Sequence, residues 1–366
     1  MKDILYLVFC IVFHLCRLVP IKRHKVLMMC IHNEGENGAL SLMESALDDF
    51  GEYEIVWFRR EVLFASAAGK LRFMFQVPYD MATANYIFFN DNFMPLSKLH
   101  FHPDAALIQL WHGEGAMKRS CLAMELPPKE AKRLKKANEK MTATVVSSKA
   151  VIPVYEETFG MPASKIYPLG APRTDYFFSV KDIAAVRRKV CEKYGLDPAK
   201  KLVLYAPTFR DDESQNAHLT EHFPFAEFAA LEDYSLMVRL HPQIGGVIGA
   251  KEGFVNVSDY PSVNEIALAA DILISDYSSI IMDFTVQGKP MVFFAFDLGE
   301  FSERGRGFYF DYESYVPGAV VKTGQALIEL FQEGDFHEEK IEAFRRFNFD
   351  YLDKYNCKRV IEQLVK

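Results

Sequence analysis

The sequence predicts an α/β protein of two doubly wound domains facing across a cleft. Three observations carry this reading. Short apolar runs of strand length alternate with helical patterns through the first half of the chain, the signature of parallel βα units. After Pro168-Leu169-Gly170-Ala171-Pro172-Arg173 the alternation restarts. Four of the strand-like runs end in polar or ionisable residues, the place where ligands bind on open parallel sheets. The 366 residues are enough for two domains of ordinary size.

Composition narrows the class. With 50% hydrophobic and 25% charged residues the chain is neither disordered nor a small disulfide scaffold. Forty-two basic against 49 acidic residues leave a net charge of −7, which argues against nonspecific nucleic-acid binding. Six cysteines, Cys10, Cys16, Cys30, Cys121, Cys191 and Cys357, form no CxxC pair, so neither a zinc site nor a disulfide framework is indicated and a reducing compartment is expected. Thirty-one Phe and 17 Tyr exceed ordinary usage and are assigned mostly to the core.

Residues 4–16 form an apolar run, followed by Arg17 and the basic cluster Lys22-Arg23-His24-Lys25. The run is too short for a membrane span, which needs about 20 apolar residues. No small-residue cleavage site follows, because Leu18-Val19-Pro20-Ile21 is bulky. Residues 1–25 therefore read as a membrane-associating segment, its apolar side chains entering the interface and its basic cluster meeting anionic lipid. A first helix buried on the fold is the alternative. The expected address is the cytoplasmic face of a membrane, bound peripherally.

The first domain is assigned to residues 26–170. A strand over 26–31 runs into His32-Asn33-Glu34-Gly35, a helical pattern covers 38–50, and strands follow over 54–58, 86–89, 106–110 and 143–147. The second domain is assigned to 171–339. A polar helix over 181–194 leads to strands over 201–205, 235–240 and 254–257, then a helix over 263–269 and strands over 272–274 and 291–294. Residues 340–366 read as one or two closing helices.

The chemistry gathers at strand ends. The strand over 106–110 stops at Trp111-His112-Gly113-Glu114-Gly115, with Lys118 beyond; His112 is suited to take a proton from a hydroxyl, and a turn-capping role is the bland alternative. Ala206-Pro207-Thr208-Phe209-Arg210 places a hydroxyl and a guanidinium past another strand, suited to phosphate, with Asp211 and Asp212 available to neutralise Arg210 instead. In Arg239-Leu240-His241-Pro242, strand alternation sends Arg239 and His241 to one face, where an anionic ligand fits, with a buried ion pair the alternative for Arg239. The strand 272–274 runs through Asp276 into Ser278 and Ser279, and the apolar spacing after them is helical; the serines thus open a helix, as phosphate binders or simply as caps. No P-loop, GxGxxG, HExxH or GxSxG occurs, and no compact carboxylate cluster suggests a metal.

Taken in order over 26–318, these pieces resemble the CDP-glycerol glycerophosphotransferase family, the teichoic-acid primases and polymerases. The ordered set runs from Asn37 through Gln109-Leu110-Trp111-His112-Gly113 with Lys118, Gly170-Ala171-Pro172-Arg173-Thr174-Asp175, Thr208 to Arg210, Arg239 to Pro242, Asp271 to Ser279 with Asp283, Lys289-Pro290 and Asp297 to Val316-Pro317-Gly318. The resemblance implies a GT-B-like fold of two Rossmann-like halves, the first for the acceptor and the second for a CDP-alditol, with a membrane-associated N-terminus. It implies His112 as base, His241 near the donor phosphates, and Thr208, Arg210, Arg239, Asp276, Ser278 and Ser279 as phosphate or nucleotide contacts. Asn37, Lys118, Arg173, Asp175 and Asp283 become acceptor or accessory positions. Glu114-Gly115-Ala116-Met117 replaces the family's usual run after the histidine, and Phe209 replaces a common tryptophan.

The implied reaction is in-line attack of an acceptor hydroxyl, on a polyprenyl-linked cell-wall or capsule glycan, at the β-phosphorus of CDP-glycerol or a related CDP-alditol, expelling CMP. No cofactor and no metal are expected. The nearest rival is a GT-B glycosyltransferase or nucleotide-sugar epimerase, and a further one is a non-catalytic membrane-tethered assembly protein.

Overall fold

The computed structural model describes residues 2–210, 216, 218–240, 253–304 and 307–365. The chain divides into two compact units: Met1–Gly115 with Arg119–Tyr176 and Phe349–Lys366, and Ala116–Lys118 with Phe177–Asn348.

The first unit holds a six-stranded sheet in the order β2-β1-β3-β4-β5-β6, formed by β1 (Lys22–Cys30), β2 (Glu54–Arg59), β3 (Ala84–Phe89), β4 (Ala106–Gln109), β5 (Ala143–Val145) and β6 (Ile166–Tyr167). Every neighbouring pair is parallel. Helices cover a parallel sheet on both faces, so its central strands are buried rather than alternating; all six residues of β3 are buried, Asn85 among them. The chain steps from β1 outward to β2, then returns to place β3 on the other side of β1. That reversal opens a crevice at the carboxyl ends of β1 and β3.

The second unit repeats the plan in the order β12-β11-β10-β7-β8-β9, with β7 (Lys201–Tyr205), β8 (Tyr234–Val238), β9 (Val255–Asn256), β10 (Ile272–Ser275), β11 (Met291–Phe294) and β12 (Ala319–Val321). Its pairs are also parallel, and its reversal falls between β7 and β10. Part of the aromatic excess lies here: Tyr205, Phe223, Phe225, Phe228, Phe294, Phe331 and Phe336 pack into one core with the aliphatic strand residues.

Strand positions follow the apolar runs, and β6 and β12 are edge strands too short to leave a pattern. The strand expected over 235–240 ends at Val238, so Arg239 and Leu240 lie beyond it. Residues 340–366 hold two helices that part company: Glu339–Asn348 stays with the second unit and Asn356–Leu364 packs on the first.

The N-terminal run forms a helix, Lys2–Cys16. It buries Phe9 against Phe73 and Phe93, and Phe13 against Phe101, with ring centroids 5.1, 6.0 and 4.9 Å apart. Its opposite face leaves Leu7, Ile11 and Leu15 exposed, and Leu5 is exposed one turn before Phe9. Among the described residues no helix is long and apolar enough to cross a membrane. The basic cluster departs from expectation at Lys25. Lys22 to Lys25 open β1, with Lys22, Arg23 and His24 exposed and Lys22 paired with Glu54 at 3.0 Å, but Lys25 is 1% exposed, bonded to Asp80 at 2.7 Å and Thr83 at 3.0 Å. A lysine at the start of a buried strand needs this partner, because an unpaired charge there costs several kcal/mol, on the order of 3–5.

Candidate active site

In the first unit, three adjacent strand ends converge. His32 follows β1, Asn90 and Asp91 follow β3, and His112 follows β4. Two buried amides stitch them together. The Asn90 side chain, fully buried, accepts from the main-chain N–H groups of Ile31 (2.9 Å) and His32 (3.1 Å) and donates to the His32 carbonyl (2.7 Å). Gln109 accepts from the Trp111 N–H at 2.9 Å and donates to the Asp91 carbonyl at 3.2 Å. Trp111 adopts a left-handed conformation (φ 63°), unusual for a bulky residue, which turns the chain sharply past β4.

That turn sets the His112 imidazole. Its Nδ1 lies 3.0 Å from the Asn90 carbonyl oxygen. A carbonyl only accepts, so Nδ1 carries the proton and, in the neutral ring, Nε2 carries the lone pair. The ring lies between Trp111 (centroids 4.3 Å) and His32, which stacks on it at 4.2 Å and 16°. Asp91 Oδ1 stands 4.0 Å from Nδ1. Burial pushes the Asp91 carboxyl up, opposed by the Asn92 N–H and by His32 and Arg60. Arg173 donates to the His112 carbonyl at 2.7 Å with Glu114 3.6 Å away, and Tyr155 donates to the Gly113 carbonyl at 2.9 Å. The His112 side chain is a quarter exposed.

Two further first-unit positions, Asp175 and Gly170, make contacts that hold the C-terminal helix in place. Asp175 accepts from the Asn356 and Cys357 N–H groups, each at 2.9 Å, and so caps the helix Asn356–Leu364. Gly170 (φ +98°) leaves room for Asn356, whose Oδ1 a Cβ there would meet at 1.8 Å. Asn37 sits in the left-handed region (φ 61°) just before the helix Ala39–Leu47.

The second unit places its polar residues at its own reversal. Thr208 follows β7, and Asp276, Ser278 and Ser279 follow β10. Asp276 is buried and accepts from the N–H groups of Thr208 (2.8 Å) and Tyr277 (2.5 Å). Ser279 occupies the N-cap of the helix Ile280–Thr285 and is exposed, with Ser278 half-buried before it. Thr208 Oγ1 is buried and has no hydrogen-bond partner among the described residues.

Arg210 corrects the sequence reading. It is 4% exposed and turned inward: Nε and Nη2 bond Asp297 (2.7 and 2.9 Å), Nη2 bonds Asp276 (3.0 Å) and Nη1 donates to the Thr208 carbonyl (2.6 Å). Burial alone would pull the guanidinium's proton affinity down; the two carboxylates override it and hold it above its usual value. Tyr277 and Phe301 flank it, 5.1 and 5.3 Å from their centroids. Arg210 therefore braces the Thr208 loop instead of gripping phosphate, and its neutralising partners are Asp276 and Asp297, distant in sequence.

Arg239 is likewise engaged, donating to the Val257 and Tyr260 carbonyls at 2.8 and 2.9 Å. His241 lies outside the described residues. Asp283 is buried within Ile280–Thr285, and Lys118 forms an isolated antiparallel bridge with Phe308. Sequence reasoning missed His32, Asn90 and Asp91. The one available signal was position: each follows an apolar strand, as His112 does.

Comparison with known proteins adds the following. The profile of the CDP-Glycerol:Poly(glycerophosphate) glycerophosphotransferase family matches residues 11–366. The chain is 30% identical over 370 residues to the teichoic acid poly(ribitol-phosphate) polymerase of Bacillus spizizenii, covering 95% of this chain and 57% of that protein, so it spans little more than half of that relative's length. It is 30% identical over 309 residues to the teichoic acid glycerol-phosphate primase of Bacillus subtilis, covering 79% of this chain and 78% of the primase. The structure of the wall teichoic acid polymerase TagF matches with a TM-score of 0.79 at 21% identity, covering 99% of this chain and 94% of that one. The two-sheet, GT-B-like α/β architecture is thus shared with TagF.

Proposed function

The chain belongs to the CDP-Glycerol:Poly(glycerophosphate) glycerophosphotransferase family, and on that premise we propose that it moves glycerol phosphate, or another alditol phosphate, from a CDP-alditol to a hydroxyl of a lipid-linked cell-wall or capsule glycan. The observation that carries the reading is the Asn90 carbonyl on His112 Nδ1 at 3.0 Å, which leaves the Nε2 lone pair to accept a proton. The acceptor oxygen attacks the β-phosphorus in line, its proton passes to His112 Nε2, and the bond from the β-phosphorus to the bridging oxygen breaks to release CMP. CMP leaves as a stabilised phosphate, so no strong general acid is required. The groups available to the donor are the Thr208 hydroxyl and the Ser278 and Ser279 end of β10, with Arg239 and His241 the cations expected near the phosphates. The reaction as written uses no resident metal.

Relatives named for ribitol phosphate and for glycerol phosphate both support an alditol phosphate without choosing between them. The exposed apolar face of the helix Lys2–Cys16 supports a peripheral seat on the membrane surface where a polyprenyl-linked acceptor resides.

The test is CMP release from CDP-glycerol and from CDP-ribitol in the presence of undecaprenyl-pyrophosphate-linked glycans, with mass analysis of the product. Donor-dependent CMP with a product heavier by one or more alditol phosphates is expected. UDP release from UDP-sugars with no turnover of either CDP-alditol would overturn the reading in favour of a glycosyltransferase or epimerase.

A further inference from the structure

The crevice in the first unit contains more than a base. His32, Asp91 and His112 come from the ends of β1, β3 and β4, which are adjacent in the sheet, and one ligand atom from each lies within 4.8 Å of the other two. We propose that these three side chains form a binding site for a borderline divalent cation of the Zn²⁺ class, and that occupancy of this site excludes base catalysis by His112.

Two imidazoles and one carboxylate are the donor set of three-ligand zinc sites that keep a position open for water, and they disfavour Mg²⁺ and Ca²⁺, which prefer oxygen throughout. Ligand atoms about 2.0–2.1 Å from a tetrahedral ion sit about 3.4 Å apart. Separations of at most 4.8 Å then need to close by no more than about 1.5 Å. His32 is exposed and the Asp91 side chain 26% exposed, so both have room to turn. Each imidazole lone pair lies in its own ring plane, so two rings stacked at 4.2 Å and 16° do not both aim at one ion as they stand; ion binding requires the exposed His32 ring to swing out of the stack.

The second observation is the anchor behind His112. A ligating histidine almost always gives its other ring N–H to a carbonyl or carboxylate, which fixes the tautomer and aims the lone pair. Asn90 does this for His112, while its side chain fixes the main chain on both sides of His32. An ion on that lone pair and a proton from the acceptor hydroxyl compete for the same electrons. The competition, unlike the site, rests on the function proposed above.

The test begins with chelator-treated full-length protein titrated with Co²⁺, followed by visible d–d absorption, then displaced by Zn²⁺, with equilibrium dialysis for stoichiometry. One ion per chain is expected, and His32→Gln and Asp91→Asn should each weaken binding at least about tenfold while circular dichroism stays that of the wild type. A measurement on the wild type alone backs this up: Zn²⁺ should protect His32 and His112 from carbethoxylation, read by peptide mapping. Binding unchanged in both variants, no protection of either histidine, or a thiolate-to-cobalt charge-transfer band from a cysteine such as Cys30 would overturn the site. With CDP-alditol turnover as readout, Zn²⁺ should inhibit the wild type, and His32→Gln should need at least about tenfold more Zn²⁺ for equal inhibition. Ion binding without any transfer would sink the proposed function and leave the site standing; transfer without ion binding would do the reverse.

Discussion

The Nδ1–H of His112 donates to the main-chain carbonyl of Asn90 at 3.0 Å, while the Asn90 side chain holds the main chain at His32 through three hydrogen bonds. One buried residue thus fixes the tautomer of one histidine and the position of another. Its two roles separate by mutation, since only the side chain can be changed.

Replacing His112 by Ala should lower CMP release by about 10²–10⁴-fold, the range of a lost general base, with the melting temperature near that of the wild type because the ring is partly exposed. Steady-state CMP release and thermal unfolding on the same preparation check this; near-normal transfer by a folded His112→Ala protein would remove His112 from the base role.

Asn90→Ala leaves the carbonyl on His112 but strips the buried N–H groups of Ile31 and His32 of their acceptor. Each orphaned buried group costs about 1–3 kcal/mol, so a clear loss in chemical-denaturation midpoint is expected. Transfer should fall as well, because the His32 ring that stacks on His112 loses its support. Wild-type stability in Asn90→Ala would contradict the hydrogen-bond assignment.

Asp297→Asn tests the inward turn of Arg210. Asp276 keeps the guanidinium paired, so losing the charged hydrogen bonds to Asp297 costs about 1.5–3 kcal/mol, and here it also loosens the brace on the Thr208 carbonyl. Urea unfolding should show the loss, and donor affinity should weaken with it. Arg210→Lys should not rescue, since an ammonium cannot reach Asp276, Asp297 and the Thr208 carbonyl together. Were Arg210→Lys to bind donor like the wild type, a phosphate contact would fit better than a brace.

Lys289 gives a pH signature. Its ammonium donates to the Leu268 and Ala270 carbonyls, and burial pulls its pKa from 10.5 to about 8. Between those values the unfolded chain holds a proton that the folded chain has released, so this group makes stability rise with pH from about 8 to about 10.5, and its penalty is fully present below about 8. Tyrosines and cysteines titrate over the same span, so the measurable quantity is the difference between wild type and Lys289→Met. That difference should change steadily in favour of the wild type over this window; a difference independent of pH would exclude the shift.

The exposed face of the N-terminal helix makes the membrane proposal measurable. Changing Leu7, Ile11 and Leu15 together to Ser should reduce binding to vesicles of anionic phospholipid by at least about tenfold per residue, taking about 1.4 kcal/mol or more for each buried side chain. Unfolding behaviour should be unchanged, because Phe9 and Phe13 carry the packing. Equal vesicle binding by this variant in a sedimentation assay would rule out the helix as the anchor.

Much of the fold was legible because buried parallel strands are mostly apolar runs, and runs such as β3, β7 and β11 need no alternation to be recognised. Edge strands β6 and β12 left no such trace. At the site, polar residues just past apolar runs marked His112, Thr208 and Ser279, because strand ends are where parallel sheets present groups to a ligand. The same logic applied to His32 and Asp91, but a single polar residue in a polar loop looks like any other.

By itself the sequence determined which strands exist, that they fall into two successive sets, and which polar residues end them, since those depend on local periodicity and on the order of the chain. Tertiary structure alone decided which strand ends are neighbours and which charges are satisfied. The 2-1-3-4 order of the first sheet brings His32, Asp91 and His112 together from residues up to 80 positions apart. Burial turned Arg210 onto Asp276 and Asp297, and Lys25 onto Asp80, because a charge withdrawn from water must find its opposite wherever packing puts one.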